Sequence, residues 1–114
     1  MQLKSESYNV WYNEATKTIN FSGSLRLSEM EEYAAILQLL NSIADTYPTN
    51  INLDLQHLEF LNSSGINMLS KFVIEIRKRQ TIKIMIVGSN MIPWQGKSLK
   101  NLQRLMPGLV LQLQ

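Results

Sequence analysis

Two neighbouring serines between an asparagine and a glycine, Asn62-Ser63-Ser64-Gly65, are the residues of this chain best placed to do chemistry. They follow the apolar pair Phe60-Leu61 and precede an amphipathic stretch, so they fall where a helix begins. Backbone N–H groups at such a terminus lack partners inside the helix and point outward. Anions are favoured there. A phosphoryl group on one hydroxyl would bring about −1.5 to −2 charges into that field. Asn, Ser and Gly are also ordinary cap and turn residues, so local chemistry alone leaves both readings open.

Other chemistry is poorly supplied. The 114 residues include no cysteine and one histidine, His57, which removes disulfides, thiolate zinc sites and multi-histidine metal sites together. Gln95-Gly96-Lys97-Ser98 invites a phosphate-loop reading, but the first glycine of that motif would fall at Met91. A turn is expected there, with Ser98 capping a helix. His57 and Ser64 do not make a hydrolase, since Asn62 and Ile66 stand where a nucleophile elbow has glycines. Asp54 has no carboxylate partner nearby for general acid/base work. Neither an enzyme nor a cofactor is expected. Trp94 reads either as loop or as core plug. Met30, Met68, Met85, Met91 and Met106 read as core and rim fillers.

Hydropathy patterning supplies the elements that position these residues. Tyr8–Tyr12 and Lys17–Phe21 read as strands joined by the turn Asn13–Thr16. Ser28 and Glu31 have capping-box spacing ahead of an amphipathic stripe of Met30, Tyr33, Leu37, Leu40 and Ala44. Pro48 stops that helix. Ile51, Leu53 and Leu55 alternate with polar residues as a third strand. Ile66, Leu69, Phe72, Val73 and Ile76 form the stripe of a second helix, ending in Arg77-Lys78-Arg79. Ile82–Val87 is nearly continuously apolar, as in a strand buried on both faces. A third helix over Ser98–Met106 and a last strand over Leu109–Leu113 complete the order β-β-α-β-α-β-α-β. This predicts an α/β fold: one domain over residues 1–114, a mixed sheet of four to five strands and two or three packed helices. The loop at Asn62–Gly65 then falls at the carboxyl end of a strand, where such sheets place their functional crevice.

Charge is divided unevenly. Residues 1–70 carry a net −5 and residues 71–114 a net +7, for +2 overall. Such asymmetry marks a polyanion-binding face, an acidic partner, or a solvated surface. Aromatic interleaving of the kind that binds single strands is absent, so nucleic acid is not an expected partner. The start lacks an apolar signal-like stretch and no apolar run approaches the ~20 residues that span a bilayer. A soluble, cytoplasmic protein without membrane insertion is expected.

Leu53-Asp54-Leu55, Phe60-Leu61-Asn62-Ser63-Ser64-Gly65-Ile66, the following helix and the strand Ile84-Met85-Ile86-Val87-Gly88 together resemble the STAS domain family, named for sulfate transporters and anti-sigma-factor antagonists. Gly23 matches a further glycine of that family. The resemblance runs over about residues 8–113 and is best over residues 51–88. It implies a non-enzymatic bacterial regulator in signal transduction. In the antagonists of this family a kinase or anti-sigma factor of the histidine-kinase-like ATPase fold phosphorylates the second serine of Asp-Ser-Ser-Gly, and a serine phosphatase resets it. Carried over, Ser64 is the phosphorylation candidate, with Ser63 the lesser one, Gly65 opens the helix, and Asn62 replaces the family's Asp. The amide keeps the capping ability but drops the charge. A partner docking over Asn62, Ser63, Ser64 and Gly65 and the exposed face of the second helix would also touch Asn67, Lys71, Arg77 and Lys78, which completes the expected partner-binding surface. Two alternatives stand beside this reading. One is a constitutive STAS subunit of a larger assembly, for example docked on a transporter ATPase. The other is a small-ligand or polyanion binder using the basic half.

Overall fold

The computed structural model describes residues 1–28 and 30–114. In them the chain forms β1 (Gln2–Lys4), β2 (Tyr8–Asn13), β3 (Thr18–Leu25), α1 (Met30–Ala44), β4 (Asn50–Leu61), α2 (Ser63–Arg79), β5 (Lys83–Gly88), α3 (Gln95–Leu105) and β6 (Val110–Leu113). The six strands lie in one mixed sheet in chain order. The first three are antiparallel neighbours, and β3 to β6 pair in parallel. The count exceeds the expected four to five because β1 adds an edge, pairing Gln2–Lys4 with Trp11–Asn9. Three residues are too few to carry a periodic pattern.

The β2–β3 hairpin turns on Asn13, whose Oδ1 accepts hydrogen bonds from the N–H groups of Ala15 and Thr16 at 3.1 and 3.3 Å. Further along β3, Gly23 has a φ of +88°, and a Cβ there would run into the Ser7 carbonyl oxygen and lie 3.0 Å from Tyr8 Cα. Only glycine allows the two strands to approach so closely at that backbone angle.

The helices pack side by side, α1 against α2 and α2 against α3, so the fold has two layers. Ile19, Phe21, Ile51, Leu53, Leu55, Ile84 and Ile86 face the helices and are buried. Met85 and Val87, expected to be buried on the second face, are only half-buried. Among the described residues no helix covers that face. The expected Ser28–Glu31 capping box spans residue 29, which lies outside the described residues, as does the side chain of Met30. Within them, the Ser28 hydroxyl lies 3.5 Å from Glu32 Oε1. Of the other methionines, Met68 is core, but Met91 is exposed rather than packed.

Strand β4 is longer than its alternating core predicts and outruns β5: of its residues only Asn50–Asp54 pair with that strand. Two register shifts against β3 give β4 two extra residues, so its buried leucines fall at 53, 55, 58 and 61. Such bulges re-aim side chains and leave carbonyls without a ladder partner. Here the first turn of α3 supplies partners. Trp94 Nε1 donates to the Leu58 carbonyl at 3.1 Å. Gln95 Nε2 donates to the carbonyls of Leu55 and Leu58 at 2.6 and 3.0 Å, and Gln95 Oε1 accepts from Ser89 N–H at 2.7 Å. Gln95 therefore opens α3, and the expected turn at 95–98 with Ser98 as cap is corrected: Ser98 lies inside the helix. Trp94 is a half-buried lock on β4.

Candidate functional site

Asn62 links β4 to α2, with extended backbone angles of −81° and 175° at the N-cap position. All its polar groups are engaged. Its N–H donates to the Leu25 carbonyl at 3.3 Å, and its own carbonyl accepts from Ile66 N–H at 3.0 Å. Its Oδ1 accepts from Gly65 N–H at 3.0 Å and from the Tyr33 hydroxyl at 2.6 Å. Its Nδ2 donates to the Leu27 carbonyl at 3.0 Å. The donor and acceptor ends of the amide are thus fixed by what each faces. One side chain pins the start of α2 to α1 and to the segment joining β3 with α1.

Tyr33, read from sequence as part of an apolar stripe, is the hidden half of this clamp. It is 1% exposed, and its hydroxyl also lies 3.1 Å from the Leu25 carbonyl. Burial above all, with Glu32 adding to it, holds its phenol above the ordinary 10.0. The folded state then keeps this proton more tightly than the unfolded chain does. Its stabilising contribution is full below the unfolded value near 10 and is lost as pH rises through the higher folded value. Tyr33→Phe is expected to be about 1 kcal/mol less stable at neutral pH. It should also lack this alkaline loss, which urea midpoints from about pH 9 to about pH 11 would reveal.

Gly65 is buried, and a Cβ there would run into the Leu61 side chain and lie 2.9 Å from the Tyr33 hydroxyl. Glycine at this position gives Tyr33 its path to Asn62. Ser63 is exposed and Ser64 half-buried, and neither hydroxyl joins a hydrogen bond among the described residues. Asn62 Oδ1 caps Gly65 N–H, which leaves the amides of Ser63 and Ser64 at the positive end of the helix. The first turn of α2 holds no acidic residue, while Arg77, Lys78 and Arg79 close the helix.

Of the expected surface residues, the structure sets Ser63, Ser64, Asn67, Lys71 and Lys78 along one outward strip of α2, with Ile74 among them. Arg77 is exposed on the flank toward α3, where its Nη1 donates to the Leu105 carbonyl at 3.3 Å. Asn62 and Gly65 turn inward and hold the strip in place. On the Ser64 flank, an apolar groove of about 300 Å³ runs between α1 and α2, lined by Ala34, Leu37, Met68 and Lys71 among others. Sequence reasoning missed Arg26, exposed between Leu25 and Leu27, whose guanidinium lies 4.3 Å from the Phe60 ring centroid. Nothing in the spacing joins residues 26 and 60; only the β3–β4 pairing does.

His57 is exposed, and Asp54 Oδ1 accepts from Gln56 N–H at 3.0 Å. Among the described residues no group of three or more His, Asp or Glu is placed to hold a metal ion. No helix among them is long and apolar enough to cross a membrane.

Comparison with known proteins agrees with this architecture. No curated relative matches the chain in sequence. The fold is similar to that of a chain in the crystal structure of the diguanylate cyclase SiaD in complex with its activator SiaC from Pseudomonas aeruginosa, with a TM-score of 0.75 at 10% identity, covering 100% of this chain and 99% of that one. SiaC of Pseudomonas aeruginosa itself gives 0.74 at 10% identity over 100% and 99% of the two chains. An anti-sigma factor antagonist from Mycobacterium paratuberculosis gives 0.68 at 21% identity, covering 95% of this chain and 90% of that one. Residues 13–93 match the family model of the STAS domain. With the serine pair at the start of α2 and the sheet that carries it, that match places the chain in the STAS domain family, to which it belongs.

Proposed function

We propose that this protein is a non-enzymatic bacterial regulator that binds a signalling protein through the start and outward strip of α2, and that phosphorylation of Ser64 switches the contact off. The observation that carries the reading is the Ser64 hydroxyl, half-buried and without a hydrogen bond among the described residues, beside the amides of Ser63 and Ser64 on a helix end pinned by Asn62. A rigid helix end presents the acceptor in one geometry to a kinase and to a binding partner alike. The partners that suit this reading are a serine kinase or anti-sigma factor of the histidine-kinase-like ATPase fold, or another signalling enzyme, with a serine phosphatase for reset. The similarity to an anti-sigma factor antagonist and to SiaC, an activator bound to its cyclase, supports a protein partner.

A phosphoryl group at Ser64 stabilises the start of α2 but blocks docking. Burying an unpaired charge in an interface costs several kcal/mol, and each 1.4 kcal/mol is tenfold in affinity. Ser64→Asp is expected to weaken partner binding about 100-fold or more, with Ser64→Ala close to wild type. Equal binding by the two variants sinks the switch. Mass spectrometry of protein from its native cells, with Ser64→Ala as control, checks the modification directly.

A second reading, a constitutive subunit of a larger assembly, draws support from Asn62. The family's Asp is replaced by an amide whose donor and acceptor are both spent inside the fold. Protein that stays unmodified and copurifies with a stoichiometric partner would favour it.

A further inference from the structure

The two helices following β4 form one surface of a single sign. Lys71, Arg77 and Lys78 on α2 and Lys97, Lys100 and Arg104 on α3 are all exposed. The ion pairs among the described residues, Arg79 with Asp45 at 2.7 Å and with Glu75 at 3.4 Å, involve none of the six. Glu75 is the one acid on either helix, and residues 76–114 contain none. The Arg77 bond to the Leu105 carbonyl ties the two helices where their charges meet. Unpaired like charges repel one another, a cost that soluble surfaces ordinarily avoid by interspersing both signs. The start of α1 exposes Glu31 and Glu32, and Glu31 shares the groove between α1 and α2 with Lys71, so the uniformly basic part of the surface runs from Arg77 and Lys78 onto α3.

An apolar spot lies inside this surface. Ile74 is 39% exposed and, with Arg77, Lys78 and Gln80, lines a recess of about 460 Å³. An apolar centre within a charged rim is the anatomy of a protein–protein contact. A bilayer surface would call for a broad apolar face, and one isoleucine does not make one. A nucleic-acid backbone would make no use of the recess.

We propose that the partner engaged by α2 presents an acidic protein surface, and that the contact crosses from α2 onto α3. This rests on the reading of α2 as the docking helix and names the chemistry of what docks there. Complementary charge speeds encounter and sets orientation. It also gives the switch its sign: a phosphoryl group at Ser64, on the same helix as Lys71 and Lys78, opposes an acidic partner.

The test is an amide-shift titration of the full chain by NMR. The probe is a Glu-rich amphipathic helical peptide, and its counterpart carries Gln for every Glu. A DNA duplex and vesicles of equal parts phosphatidylglycerol and phosphatidylcholine serve as rival anions. The expected result is binding of the acidic peptide alone, with shifts on α2 and α3. Binding should weaken as salt shortens the screening length, and about tenfold in the Lys78→Glu, Arg104→Glu double variant. Since both side chains are exposed, that variant should fold normally, which its own amide spectrum checks. Equal binding of the Gln peptide, shifts confined to Ser63, Ser64 and α1, or tighter binding of DNA or vesicles overturns the proposal. A Ser64→Asp arm separates it from the reading beneath. Unweakened binding on α2 and α3 in that variant keeps the acidic partner and removes the switch. Shifts at Ser64 and α1 that vanish in it keep the switch and remove the acidic partner.

Discussion

Replacing Asn62 by alanine is expected to cost the fold about 3 kcal/mol, the sum of a lost helix cap and two polar groups stripped of partners. The cap is the Gly65 bond, and the stranded groups are the Tyr33 hydroxyl and the Leu27 carbonyl. Tyr33 recovers part of its loss from the Leu25 carbonyl, 3.1 Å away. Asn62→Asp is the informative variant. It keeps the cap and the acceptor for Tyr33, and its charge gains about 0.3–1 kcal/mol at the helix start. Against that, an oxygen replaces the Nδ2 that now lies 3.0 Å from the Leu27 carbonyl. Leaving that carbonyl facing an acceptor costs about 1–3 kcal/mol, so the loss outweighs the gain at neutral pH. A protonated carboxyl can donate to the Leu27 oxygen, so the folded state favours the protonated form on this contact. That contribution is present below the carboxyl's titration and fades above it. The deficit against wild type should therefore shrink as pH falls through about 4. Urea melts of the three proteins at neutral and acidic pH decide it. An Asp variant as stable as wild type at neutral pH would mean that Leu27 exerts no selection for the amide.

Gln95→Leu is expected to have an effect of similar size at a place remote from the serines. Gln95 is 0% exposed, and its amide serves Leu55, Leu58 and Ser89. Leucine matches the volume but bonds to none of them. Trp94 still serves the Leu58 carbonyl, so the stranded groups are the Leu55 carbonyl and the Ser89 N–H. At about 1–3 kcal/mol for each buried unpaired group, a loss of roughly 3 kcal/mol follows. Gln95→Glu should fare no better at neutral pH, because one carboxylate oxygen would face two carbonyls. Denaturant midpoints measure both. A wild-type midpoint for Gln95→Leu would mean that the bulged strand is held by packing alone.

The parts of this structure that follow short-range periodicity were legible in the sequence. The stripe from Ile66 to Ile76 placed α2, and alternation at Ile51, Leu53 and Leu55 placed the core of β4. What escaped was whatever depends on distant residues meeting. The bulged half of β4 breaks alternation, so Leu58 and Leu61 carry no strand signal. Gln95 looks like a turn residue until β4 supplies carbonyls for it. Tyr33 counts as apolar in a periodic stripe, though its hydroxyl meets a residue 29 positions on. The start of the serine-bearing helix was legible because cap chemistry is local, and the resemblance to the STAS family rather than that chemistry made the serine pair a candidate site. The clamp that holds them was not legible, since Leu27, Tyr33 and Asn62 come from three separate elements.

The strands lie in the sheet in the order in which the chain produces them. No strand has to wait for a partner made later and inserted between neighbours already paired. Each helix is followed by a strand that joins an edge already in place. Such a chain can assemble as it leaves the ribosome, each unit docking on the one before, with few slow long-range closures. The serine-bearing helix starts directly after β4, and the Asn62 clamp draws only on residues that precede it or open α2 itself. The bonds of the Asn62 clamp can thus form before the basic α3 has been synthesised, so the proposed acceptor serine takes its place at the helix start before Trp94 and Gln95 arrive to hold the bulged half of β4.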